Sequence, residues 1–106
     1  MGNRAVLCLK NGRNPEYDED EIGIYLHWNG GRESIEGFLK STKDLIGDIV
    51  GDYNYTKARL IQTIGNFFGG NQSLGIGICK YLDTDNGDNG VYVIDCSKLE
   101  ITNHKE

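Results

Sequence analysis

Positive charge is scarce in this chain and nowhere concentrated. Eleven Lys and Arg residues are scattered along 106 positions against sixteen Asp and Glu, for a net charge of −5. Proteins that read DNA or RNA gather basic residues on one face, so direct nucleic-acid binding is not expected. Proline occurs once, which excludes a Pro-rich linker. The three cysteines, Cys8, Cys79 and Cys96, form no C-x-x-C pair and lie in or beside apolar runs. That spacing supports no paired-thiol zinc motif and points to buried free thiols in a reducing compartment. With His27 and His104 as the only histidines, a tetrahedral zinc set has no supporting spacing. No apolar run is long enough to span a membrane. The start, Met1-Gly-Asn-Arg, lacks the apolar core of a signal peptide, and Val6 stands where myristoylation requires Ser or Thr.

What is present is globular: 38% apolar and 25% charged residues, within one domain spanning 1–106. A chain of this length buries roughly two-thirds of its unfolded surface and needs no metal or disulfide staple. Fifteen glycines indicate many tight turns between short elements.

The apolar spacing predicts a first strand over Arg4–Lys10 and a second over Ile22–Trp28, with Ile22, Ile24, Leu26 and Trp28 on one face. The two would pair antiparallel around the acidic loop that follows Asn11-Gly12. From Ser34 the period lengthens. Ile35, Phe38, Leu39, Thr42 and Leu45 or Ile46 mark a helix that Ile49 and Val50 extend and Gly51-Asp52 breaks. A second helix is expected from about Tyr55 to Phe68. Asn54 would be its N-cap, Ala58, Ile61, Ile64 or Gly65, and Phe68 its inner face, with Leu60 and Phe67 widening it, and Gly69-Gly70 its stop. Strands are expected again over Ser73–Tyr81, Val91–Ile94 and Leu99–Thr102. The order β-β-α-α-β-β(-β) predicts an α+β domain: an antiparallel sheet of four to five strands with two helices on one face.

Three stretches carry candidate chemistry. His27-Trp-Asn-Gly-Gly-Arg32 turns from a strand into a helix. Free N–H groups at a helix start attract anions, so Trp28, Asn29, Gly30, Gly31 and Arg32 form a candidate nucleotide-phosphate site. The competing structural expectation makes Trp28 core, Gly30-Gly31 a tight corner and Arg32 a partner for Glu36. Asp83 to Gly90, DTDNGDNG, places Asp83 and Asp85 at the first and third positions of a calcium loop. Gly87, Asp88 and Ile94 then fail the later positions, and Asn-Gly twice over predicts a hairpin turn instead. The acid run Glu16-Tyr17-Asp18-Glu19-Asp20-Glu21 would present a negative patch to a basic groove, enlarged if Asp83, Asp85 and Asp88 share its edge, with Tyr17 as anchor. A Cys–His nucleophile would need Cys8, on a strand next to that of His27, to reach it. No catalytic set, metal or cofactor is otherwise indicated.

Taken together, IGIYLHWNGG–ESIEGFL, ARLIQTIGNFFGG and DTDNGDNGVYVID resemble a family of small proteins from phages and conjugative elements of Firmicutes, over Arg4 to about Ile101. The resemblance implies an accessory protein in the cytoplasm of a bacterial host that counters antiviral defence. The expected function is thus non-enzymatic, anti-CRISPR-like inhibition of a host defence protein with a basic surface. A nucleotide-sequestering protein using the His27–Arg32 turn, as a homo-oligomer, is the alternative, and a small Cys/His hydrolase a third.

Overall fold

The computed structural model describes residues 2–14, 16, 20–47, 53–69 and 74–105. Five strands and two helices follow in the order β1 (Ala5–Lys10), β2 (Ile22–Leu26), α1 (Arg32–Ile46), α2 (Tyr53–Phe68), β3 (Leu74–Ile78), β4 (Val91–Asp95) and β5 (Glu100–Lys105), with a 3-10 turn at Cys79–Tyr81 after β3. The fold is α+β.

The strands form one sheet in the order β3-β2-β1-β4-β5. β1–β2, β2–β3 and β4–β5 are antiparallel. β1 and β4 are parallel, Leu7 opposite Tyr92 and Leu9 opposite Ile94, so the sheet is mixed rather than wholly antiparallel. The parallel pair follows from chain routing. β3 and β4 lie on opposite sides of the β2–β1 pair, and the segment between them crosses the sheet instead of folding back as a hairpin. The doubled Asn-Gly therefore serves a crossover, not the expected hairpin turn.

Alternation along β1 builds two cores. Ala5, Leu7 and Leu9 face the helices and pack with Ile24, Leu26, Tyr92, Ile94, Ile35, Phe38, Leu39, Leu60 and Ile64. Val6 and Cys8 face the other way and pack with Cys79 and Val91, covered by Tyr25 and Leu82. Leu82 belongs to the crossover, which thus roofs the back of the sheet. A Cβ added at Gly77 would lie 3.6 Å from Leu82, and one at Gly23 only 2.8 Å from it, so the strand glycines are where that roof comes close.

Helix α1 buries Ile35, Phe38, Leu39, Thr42 and Ile46, the predicted face with Ile46 rather than exposed Leu45. It stops earlier than expected because Gly47 takes φ 59° and donates its N–H to the Lys43 carbonyl. Ile49, Val50 and Gly51-Asp52 lie outside the described residues. α2 starts at Tyr53, which puts Asn54 inside its first turn instead of at the N-cap. Its buried line is Thr56, Leu60 and Ile64, with Ala58 exposed and Ile61 and Phe68 half-buried. The inner face is centred on Leu60, a position that the three-four spacing from Ala58 placed at its margin. Gly69 ends α2 at φ 60°, as anticipated. Gly70 lies outside the described residues.

Candidate functional site

The His27–Arg32 corner is built on backbone contacts from the segment before β1. The Asn3 N–H donates to the His27 carbonyl at 2.9 Å, and the Gly30 N–H donates to the Asn3 carbonyl at 2.8 Å. Asn29 takes φ 60°, a left-handed conformation that asparagine tolerates. Gly30 is buried, and a Cβ there would sit 2.5 Å from the Asn3 oxygen and 2.8 Å from the Ala5 Cβ. Its carbonyl accepts the buried Tyr92 hydroxyl at 2.8 Å. Glycine is thus required at position 30 by the neighbouring chain. Arg32 lies 3.4 Å from Glu36 one helical turn on. Trp28 departs from its expected core position: β2 ends at Leu26, and the indole is 43% exposed, edge-on to the His27 ring at 5.2 Å.

The DTDNGDNG loop packs beside this corner. Asn86, 2% exposed, knits it together: its side-chain oxygen accepts from the Asp88 and Gly90 N–H groups, and its amide donates to the Asp83 and Gly90 carbonyls. Gly87 and Gly90 take φ 76° and 67°. Arg4 binds Asp88 at 2.8 Å and holds its carboxyl below the usual carboxylate range. The Asn89 N–H donates to the Arg4 carbonyl, and the His104 ring meets the Asn89 carbonyl at 2.6 Å while stacking on Tyr92 at 3.9 Å. Asn3 and Arg4 therefore brace both sequence-predicted loops at one end of the sheet. Among the described residues no group of three His, Cys, Asp or Glu is placed to hold a metal.

Among the described residues, Asp88 does not share a face with Glu16 and Glu21. Tyr17, Asp18 and Glu19 lie outside the described residues. Glu16 pairs with Lys105 at 2.7 Å, which lowers the Glu16 carboxyl, and its carbonyl accepts from Lys10. Glu21 immediately precedes β2 and stands 4.0 Å from Lys57. Asp88 is tied to Arg4 before β1, and Asp83 is an electrostatic neighbour of the same arginine. In the antiparallel β1–β2 register Glu21 and Arg4 are six residue rises apart, about 20 Å. Asp88 thus does not enlarge the patch around Glu21. Asp85 lines the same loop cleft as Asp88.

What does adjoin Glu21 is apolar, and sequence reasoning missed it. Ile22 opposes Ile78 and Ile24 opposes Ile76 in the β2–β3 register. Since Ile24 packs under the helices, Ile22, Ile76 and Ile78 point to the same face, yet they are 46%, 53% and 39% exposed. β3 is an edge strand, LGIGI, with no charged residue. The opposite edge, β5, carries Glu100 and Lys105 and a register irregularity between Val93 and Ile94 on its β4 partner, both of which discourage further pairing. The signal in the sequence was the absence of any gatekeeping charge in Leu74–Ile78. The Cys79 N–H donates to the Glu21 carbonyl at 2.8 Å, which fixes the acidic segment against the end of this strip.

All three cysteines are buried and free. Burial pushes the Cys96 thiol up to about 12. Cys8 lies four residues along β1 from Arg4, the position opposite His27, and its neighbour is Cys79, whose contact together with burial raises the Cys8 thiol. Cys8 and His27 are therefore not brought together. No helix among the described residues is long and apolar enough to cross a membrane. No family model, no curated protein and no solved structure matches the chain.

Proposed function

We propose that this chain is a non-enzymatic binding protein that inhibits a bacterial antiviral defence protein, docking through the open β3 edge and its acidic border onto a basic surface. The observation that carries this reading is the exposed pair Ile76 and Ile78 on the uncharged edge strand β3, with exposed Ile22 of β2 directly opposite Ile78. An isolated exposed isoleucine means little, but three adjacent ones beside an edge strand that no other described strand pairs are what strand-to-strand docking uses. The border at Asp20 and Glu21, in a chain of net charge −5, supplies the charged rim such interfaces have and favours a basic partner. The same surface takes over the role that the sequence assigned to the nine acidic and tyrosine positions alone.

The test is co-purification from a defence-carrying host, read together with relief of that defence in a phage-protection assay. Ile76→Lys is expected to abolish both capture and relief. Asp20→Lys with Glu21→Lys is expected to weaken capture, and added salt to weaken it further. Capture that survives both sets of changes sinks the proposal. A bound mass of nucleotide size, lost in Arg32→Ala, would instead establish the nucleotide-sequestering function.

A further inference from the structure

We propose that Cys8 and Cys79 are a disulfide-forming pair that locks the crossover onto the central strand. Both side chains are fully buried in the small back-face core with Val6 and Val91. Cys8 in β1 lies directly opposite Gly23 in β2. Directly opposed Cβ positions in an antiparallel pair are about 5 Å apart. A Cβ at Gly23 would fall only 2.9 Å from the Cys79 Sγ. The Cys79 sulfur therefore occupies the space that a side chain at residue 23 would fill, next to Cys8 in the same buried cluster, and each thiol shifts the titration of the other. Gly23 is the window through which residues 71 positions apart in sequence meet. That proximity is what a disulfide requires.

The surroundings set the order of events. Cys79 opens the 3-10 turn at the end of an edge strand, and the next two residues, Lys80 and Tyr81, are exposed, Tyr81 at 75%. Cys8 lies in the middle strand of the sheet. When the turn lifts, Cys79 is the thiol that meets solvent. A small-molecule disulfide such as oxidised glutathione is the oxidant. The Cys79 thiolate attacks one of its sulfurs, the small S–S bond breaks, and one small thiolate leaves. Cys8 then loses its proton and attacks the Cys79 sulfur, forming the protein S–S bond and expelling the second small thiolate. Two protein thiols are oxidised and one small disulfide is reduced to two thiols. Cys96 sits in the other core, on the helix side, and is the internal control.

The experiment incubates the full chain in glutathione buffers of rising oxidised fraction, blocks free thiols with a maleimide under denaturing conditions, and maps peptides by mass. The expected result is an intact chain lighter by two hydrogens, one Cys8–Cys79 crosslinked peptide, and Cys96 as the only blocked thiol. The oxidised chain should melt at least about 5 °C higher. Cys96→Ser should behave as wild type, and Cys79→Ser should show neither crosslink nor shift. The mapping on the wild-type chain decides the matter even where a variant fails to fold. Three blocked thiols in fully oxidised buffer, a crosslink involving Cys96 or a second chain, or a lasting glutathione adduct on Cys79 beside a free Cys8 would each overturn the proposal.

Discussion

Gly30 shows how a single residue type can be dictated by its neighbours. From the sequence, Gly30-Gly31 could be an anion cradle or a tight corner. For Gly30 the corner holds, because the Asn3 carbonyl and the Ala5 side chain fill the space a Cβ would take. Neither contact is with the flexible end of a side chain, so the strain has no easy release. Gly30→Ala is expected to destabilise the fold by about 1–3 kcal/mol, as overpacking does. Tyr92→Phe, which strips the Gly30 carbonyl of its buried donor, is expected to cost about 1–2 kcal/mol. Chemical denaturation of both variants checks this, and a wild-type midpoint for Gly30→Ala would show that the corner has room for a side chain and that packing does not dictate the glycine. Trp28 is the counterexample at this scale. Period two placed it in the core, but the strand ends at Leu26 and a left-handed Asn29 turns the chain away. A pattern of alternation carries no information about where a strand stops.

At the scale of elements, existence and type were legible and boundaries were not. All five strands and both helices follow from spacing, since each has to bury an apolar face. Their ends depend on single backbone choices, such as the left-handed Gly47 that closes α1. β4 pairs parallel to β1 rather than in a hairpin with β3, and the reason lies in the loop between them. Asn-Gly pairs signal a hairpin only when the flanking strands are free to lie side by side. Here the loop is organised from within, by Asn86 making four hydrogen bonds while almost wholly buried. A sequence clue to the parallel pair existed. Ala5–Leu9 is continuously apolar and Val91–Ile94 nearly so, which marks strands covered on both faces, as parallel strands are. Asn86→Ala removes the internal organiser and leaves the Gly90 N–H without its partner. It is expected to destabilise the chain by about 2–3 kcal/mol. Hydrogen exchange should rise first at Asp88 and Gly90, and unchanged protection there would show that the loop is held by something else.

The whole molecule is held at its margins by ion pairs that respond to acid. Lys105 lowers the Glu16 carboxyl, Arg4 that of Asp88 and Arg13 that of Glu100. Each of these groups takes up a proton more readily unfolded than folded. The stability they contribute is complete above the ordinary carboxylate range and fades as pH falls through the lowered folded values. All three are solvent-accessible, so the contribution is modest and screened by salt. Melting temperature is expected to drop below about pH 4.5, with a shallower drop for Asp88→Asn and at high salt. Parallel profiles for wild type and Asp88→Asn would show that the Arg4 pair takes no part. The interior makes a stronger demand. β1 contributes Leu7 to the core under the helices and Val6 to the core under the crossover, on successive residues. Neither core can come apart while β1 remains a strand buried on both faces, and β1 cannot remain one without both. Leu7→Ala, expected to cost about 2–5 kcal/mol, and Val6→Ala, with fewer methyl groups lost and a smaller cost, should therefore lower one shared transition. Far-ultraviolet dichroism and Tyr or Trp fluorescence should give coincident midpoints in both variants. Two separated transitions, with Val6→Ala moving only one of them, would mean that the crossover roof melts independently of the helical layer.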